Sequence, residues 1–364
     1  IVTARRHWMA IAVVVVAMLA GVFVQRAFPS GGIYPYNLTD ALVVVLFSLA
    51  GFYVTGSSPR ARSLRMLFIA YLILNLTAFL FKSPVGSNAT RLFAVAGAPL
   101  LWLAANVSRQ RSRAVVLPLL AATAALQVGP WIRDAYSAWG SPAASATYWR
   151  PAVKFLKRQD DTQNRVEAVA TWGHWEAYYL ARAGFPLARG WFRQDDFPEN
   201  RVLYDRNLTA IEYDSWLRLL GVRFVVLPDT TLDYSSAAEA RLLRSGHSGL
   251  RLVSQSTHLS IYELPDSVPI VSAPADAHAL LIRLGHSGID FYASEPGRYV
   301  VRMRYTPYWE VHGGTPACVS RGQNGMTEVR TPVAGLIELG LSPSVDTVGD
   351  AVTGASSGCG AAAS

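Results

Sequence analysis

The chain has 364 residues, 51% of them hydrophobic and only 16% charged, with a formal net charge of +8 and a mean hydropathy of +0.22. That is too apolar for an ordinary soluble domain of this length and points to a membrane protein with a soluble part. The positive charge comes with no zinc spacing, basic helix or RNA-binding signature, which argues against a nucleic-acid partner.

Apolar residues dominate up to Ile132, and five runs there read as membrane-spanning helices: residues 8–24, 40–56, 65–82, 91–107 and 114–132. Stretches such as "AIAVVVVAMLAGVFV" have no polar face, and the runs approach the ~20 residues that a bilayer crossing needs. Arg5, Arg6 and His7 precede the first run, Arg60, Arg62 and Arg65 follow the second, and Arg109, Arg111 and Arg113 follow the fourth. The other two loops carry only Arg26, and Lys82 with Arg91. By the positive-inside rule the richer set faces the cytoplasm, so everything after Ile132 is expected outside a multi-pass cell membrane protein. The sequence opens on Ile1, a basic cap and a span with no cleavage site behind it, as expected of the C-terminal part of a longer polytopic protein.

A linker over residues 133–147 leads to an expected α/β domain at 148–269. Pro151 suits the first turn of a helix running to about Arg158, "RVEAVAT" reads as a buried strand, and Trp172 to Ala183 as a helix stopped by Gly184. "YDSWLRLLG" is a second helix, "VRFVVLP" an apolar strand, and "LRLVSQSTHLSIYEL" two strands with a turn. Short strands separated by Pro, Gly, Asn and Ser then predict a small β-sandwich at 270–345 and a flexible tail at 346–364. Cys318 and Cys359 lie on the oxidising side of this topology, where a disulfide is permitted. The fold class is thus membrane α-helical followed by an extracytoplasmic α/β domain and a β-sandwich.

Two places could carry a ligand. "KSPVGSNATRL" puts Lys82, Asn88 and Arg91 just outside the hydrocarbon, where cations can pair with membrane lipid phosphate or simply snorkel at helix ends. "TWGHWEAYYLARAGFPLARGW" sets Trp172, His174, Trp175 and Glu176 on one predicted helix, His174 and Tyr178 one turn apart, with Arg189 and Asp195 following. Aromatic faces stack on sugar rings while acids and arginines bind hydroxyls. The same stripe at helical spacing is more often core. Arg189, Arg193, Asp195, Asp196 and Glu199 show no helical or strand periodicity and read as an exposed loop. Its adjacent acids could hold a divalent cation, though neighbouring arginines weigh against that, and no other cofactor is called for. Serine-hydrolase, zinc-protease, redox, P-loop and dinucleotide motifs are absent.

"PVGSNATRL", "PLARGWFRQDD", "YDSWLRLLGVRFVVLPDTTLDYSSAAEA" and "EPGRYVVRMRYTPYW" together resemble the C-terminal half of large actinobacterial integral membrane proteins grouped with the polytopic GT-C glycosyltransferases. The resemblance covers most of the chain after Lys82. It implies a polyprenyl-phosphate-linked sugar as donor, cell-envelope glycan as acceptor or product, and Arg91 on carrier phosphate. "TWGHWEAYYLARAG" is also similar to the WWDYG-bearing acceptor segment of oligosaccharyltransferases, departing from it where Gly173 and His174 split the tryptophans. GT-C enzymes carry catalytic acids in an early outer loop, whereas the one here offers only Asp40, so the resemblance puts the catalytic base upstream of Ile1. The alternative is a non-catalytic envelope or transport protein whose outer domain binds glycan or a protein partner.

Overall fold

The computed structural model describes the backbone of residues 2–28, 32–190, 192–353 and 359, and their side chains except at 2–11, 13, 14 and 194. Two compact units divide the chain: Gly31–Ala144 with Trp191–Arg201, and Ile1–Ser30 with Ser145–Gly190 and Val202–Ser364. The first helix, α1 (Val2–Ala27), belongs to the second of these.

The helical unit contains α2 (Leu38–Thr55), α3 (Arg62–Leu80), α4 (Arg91–Ser108) and α5 (Arg113–Trp139). Four segments, Leu38–Thr55, Pro59–Leu80, Gly86–Ser108 and Arg113–Trp139, are long and apolar enough to cross a membrane. The fifth expected span, 8–24, falls partly on side chains outside the described ones, as do Arg5, Arg6 and His7; the apolar part of α1 that is described runs from Val15 to Ala27. Leu46, Ile73, Leu80, Val95 and Trp131 point outward while Val44, Phe47, Phe68, Phe93 and Leu101 pack inside. Helices apolar on both faces suit a hydrocarbon solvent and not water.

Inside this unit, neutral side chains satisfy the backbone groups that helix irregularities release. Pro99 interrupts the α4 ladder, and Gln127 of α5 accepts from the Ala98 N–H at 3.0 Å and donates to the Phe93 carbonyl at 2.6 Å. The Tyr71 hydroxyl donates to the Ala89 carbonyl at 3.0 Å and accepts from the Phe93 N–H at 3.1 Å. At one end, Gln110 accepts from the Ser57 N–H at 3.0 Å and Arg111 lies 3.9 Å over the Tyr53 ring, which joins the two basic loops. At the other, Tyr34 N–H donates to the Ser83 carbonyl at 3.1 Å. Gly86 is indispensable there: its φ is +41°, and a Cβ would run into the Tyr34 carbonyl.

The second unit continues with α6 (Ala146–Gln159), β1 (Arg165–Ala168) and α7 (Trp175–Arg182). After α8 (Arg193–Glu199), which groups with the helical unit, come α9 (Ala210–Leu220), β2 (Val222–Pro228), α10 (Ala237–Arg244), β3 (Arg251–Gln255) and β4 (Leu259–Glu263). These strands form a sheet in the order β1-β2-β4-β3, with β1 parallel to β2 and the other pairs antiparallel. A capping box between Thr209 and Glu212 starts α9, and Gly221 at φ +72° stops it. The remaining strands are β5 (Val271–Ser272), β6 (Ala279–Leu284), β7 (Gly288–Ala293), β8 (Gly297–Arg304), β9 (Trp309–His312), β10 (Cys318–Arg321), β11 (Met326–Thr331) and β12 (Gly335–Leu341). They make two four-stranded sheets, β10-β11-β8-β5 and β6-β7-β12-β9, around a core that includes Phe291, Tyr299, Val329 and Ile337. The C-terminal region is thus β-rich, with several sheets.

Several boundaries move. The linker shrinks because α5 runs on to Trp139 and α6 starts at Ala146, five residues ahead of Pro151, with the Ser145 hydroxyl capping the Thr147 N–H. The exposed loop expected around Asp195 is the short helix α8. Part of the expected flexible tail is helix α11 (Val345–Thr353), packed on α1. Cys318 and Cys359 are joined by a disulfide with Cα atoms 5.4 Å apart.

Arginines join the sheet layer to the sandwich. Arg165 donates to the Leu220 and Arg302 carbonyls at 2.6 and 2.7 Å, and Arg302 to the Arg218 and Pro269 carbonyls at 3.0 and 2.9 Å. Burial, helped by the neighbouring Arg302 charge, pushes the Arg165 guanidinium down to about 10.

Candidate functional site

The chain beyond β1 crosses the carboxyl edge of the parallel pair, the edge where open α/β sheets hold their ligands. Ala170 accepts from the Asp233 N–H at 2.8 Å and Trp172 N–H donates to the Thr231 carbonyl at 2.9 Å, so the segment after β2 pairs with the extension of β1. This ladder fixes where Thr171 and Trp172 emerge.

Helix α7 begins at Trp175, and not at Trp172 as the sequence suggests, because His174 takes the left-handed conformation at φ 52°, ψ 37°. For a residue with a Cβ this costs roughly 1–2 kcal/mol. His174 and Tyr178 therefore do not form a helical ridge. Instead Glu176, only 4% exposed, gathers the turn around itself. Its Oε2 accepts from the Thr171 N–H at 3.0 Å and the Thr171 hydroxyl at 2.7 Å, and its Oε1 lies 3.2 Å from His174 Nδ1. Thr171 Oγ in turn accepts from the Trp175 N–H at 3.0 Å. Thr171 was not singled out in the sequence; a hydroxyl closing a buried strand, five residues before an acid, is the available signal.

Of the aromatics, Trp172 is 43% exposed, Trp175 and Tyr179 are half-buried, and Tyr178 is exposed with its hydroxyl on Arg182 at 2.5 Å. The Trp175 indole N–H is buried and has no partner among the described residues. It lies 2.5 Å from where a Cβ on Gly173 would sit, so that glycine admits it. An unsatisfied buried donor costs about 1–3 kcal/mol.

Arg189 does not line an open groove beside Glu176. Its side chain is 5% exposed and turned inward, with Nε 3.2 Å from Glu167 and Nη2 3.9 Å from Glu239. Nη2 also donates to the Ser236 hydroxyl at 2.5 Å, which accepts from the Ala170 N–H at 2.9 Å. Tyr213 completes the cluster by donating to Glu239 at 2.6 Å, and burial, followed by the Glu239 and Glu167 charges, pushes its phenol well above the usual range. Glu167 sits between the apolar Val166 and Ala168 of β1 and Glu239 in an alanine-rich helix, both visible in the sequence only as anomalies. The cluster ties β1, α9 and α10 together behind the turn.

Asp195 is exposed on α8 and falls in the helical unit, whereas Asp196 is buried and accepts from Asn200 Nδ2 at 2.9 Å. Among the described residues, no three His, Cys, Asp or Glu side chains are placed to hold a metal ion. Lys82 and Arg91 are exposed and Asn88 half-buried, at the end of the helical unit opposite its basic loops. The sequence-predicted residues are thus divided: Trp172, His174, Trp175 and Glu176 share one turn, Arg189 lies behind it, and Asp195 with Lys82, Asn88 and Arg91 belongs to the other unit. Comparison of the chain with protein-family models, curated proteins and solved structures finds no match to any of them.

Proposed function

We propose that the chain is the C-terminal part of an integral membrane glycosyltransferase that uses a polyprenyl-phosphate-linked sugar in cell-envelope glycan assembly, with its β-rich unit on the outer side handling glycan. The observation that carries the glycan reading is the Trp172–Trp175 turn: a half-exposed indole and a half-buried imidazole, on a buried polar frame at the carboxyl edge of a parallel strand pair. Aromatic faces beside polar groups suit sugars.

Two facts support the outer location. The Arg60–Arg65 and Arg109–Arg113 loops share one end of the helical unit, and α5, which starts there, ends at the opposite end of that unit. The Cys318–Cys359 bond belongs in an oxidising compartment. Lys82 and Arg91, exposed at that same opposite end, are the cations available to a carrier phosphate. A second reading, a non-catalytic glycan-binding envelope protein, is favoured by one observation: Glu167, Glu176 and Glu239 are all buried in internal networks.

Calorimetry of the chain in lipid nanodiscs against oligosaccharides tests the shared part of both readings. Wild type should bind, and Trp172→Ala should lose at least fivefold in affinity with an unchanged melting temperature. Equal binding by both proteins would remove the turn from the reading. Transfer of labelled sugar from polyprenyl phosphate by the longer polytopic protein, reduced by Arg91→Ala, would separate the enzyme from the binding protein.

A further inference from the structure

We propose that the Trp172–Trp175 turn recognises its ligand through hydroxyl groups and rejects anions, with His174 as the contact and Glu176 and Thr171 as positioning residues. This rests on the glycan reading above and specifies its chemistry. Glu176 Oε2 is occupied by the two Thr171 donors, which leaves Oε1 for His174 Nδ1. A carboxylate only accepts, so Nδ1 carries the proton, and the Nδ1–H tautomer keeps a lone pair on Nε2.

His174 Nε2 has no partner among the described residues and is not sealed from solvent. A lone pair facing outward accepts from a sugar hydroxyl. Against a phosphate or carboxylate oxygen it would set acceptor on acceptor. The cations of the segment agree with this: Arg189 is turned inward to Glu167 and Glu239, and Arg182 is engaged with the Tyr178 hydroxyl and ring. A histidine serving only as surface needs neither a left-handed backbone nor a buried carboxylate behind it, and His174 has both. Trp172, exposed two residues away, offers an apolar face for sugar C–H bonds.

The test is nitrogen NMR of imidazole-labelled full-length chain in nanodiscs at pH 7.5. His174 without ligand should be the Nδ1–H tautomer; an Nε2–H tautomer or a doubly protonated ring overturns the proposal whatever the protein binds. Chitotriose, maltotriose and inorganic sulfate, an anion with no hydroxyl to donate, are then added in turn. A sugar should shift His174 Nε2 together with Trp172, and sulfate should not; a sulfate shift at Nε2 overturns the proposal.

Sugar shifts at Trp172 with His174 silent overturn it while leaving the glycan reading intact. No shift from either sugar, with the tautomer as expected, overturns the glycan reading and the recognition role that rests on it. Glu176→Gln should mix the tautomers and weaken sugar binding at least tenfold. If Glu176→Gln does not fold, His174→Asn carries the test, since Asn tolerates the left-handed conformation; it too should lose tenfold, and unchanged affinity overturns the proposal.

Discussion

The helical unit and the β-rich unit handle buried polar groups in opposite ways. Among helices α2 to α5 of the helical unit the internal ties are neutral: Gln127 beside Pro99, and Tyr71 between Ala89 and Phe93. In the β-rich unit they are charged, with Arg189 between Glu167 and Glu239 at almost no exposure. The difference follows the solvent outside. Helices whose outer faces are Leu, Val and Phe have no water to draw on, so a charge inside is prohibitive and amides and hydroxyls repair the backbone. A water-facing domain can hold ions in its interior provided each is paired and hydrogen-bonded.

Breaking the charged cluster should have the largest effect. Arg189→Met leaves Glu167 and Glu239 buried together and should destabilise the β-rich unit by about 3–5 kcal/mol in denaturant unfolding. A loss near zero would mean that the cluster is hydrated and the contrast between units is false. The neutral counterpart is Gln127→Leu, which releases Ala98 N–H and the Phe93 carbonyl; it should cost about 1 kcal/mol in micelles, because partners inside membranes are worth little more than that. A cost as large as that of Arg189→Met would erase the distinction.

Glu263 sharpens the contrast at the surface. Hydrogen bonds from Arg251 and then Arg223 hold its carboxyl below the usual range. A carboxylate lowered on folding adds stability above its unfolded value and loses it as pH falls through the folded one. Glu263→Gln should therefore cost under about 1 kcal/mol at pH 7 and nothing once wild type is acidified below the lowered folded value of Glu263. A difference that persists in acid would mean a packing role. The smallest effect is expected of Trp175→Phe, which removes an indole N–H that has no partner among the described residues and should leave the melting temperature unchanged or slightly raised. A marked loss would reveal a partner for that donor.

The elements that the sequence made legible were those with strong local signals. Hydropathy placed α2 to α5, the β-branched run "VRFVVLP" placed β2, and Gly221 gave the end of α9. Where the reading went astray, a single residue overrode periodicity. His174 adopts a left-handed conformation that the aromatic spacing cannot announce, and moving the helix start by three residues changes which side chains share a face. Arg189 looked like a solvent-facing cation because its partners, Glu167 and Glu239, are 22 residues before it and 50 after it in number and meet only through the sheet. Trp172, His174, Trp175 and Glu176 were legible as a group; which of them faces outward was not, since that depends on the Thr171 hydroxyl.

The contact between α1 and the sandwich has a consequence for the order of assembly. The Tyr308 hydroxyl donates to the Ala27 carbonyl and its ring stacks on Phe28 at 5.3 Å, across a separation of 281 residues. α11, tethered by Cys359 to β10, lies on the same helix. A ribosome delivers α1 long before either partner exists, so its C-terminal end stays undocked while four more helices and an entire sheet layer are made. Contacts this distant in sequence close slowly. Synthesis must reach the last strands before the first helix is secured, and chains truncated in the sandwich would leave α1 without its anchor.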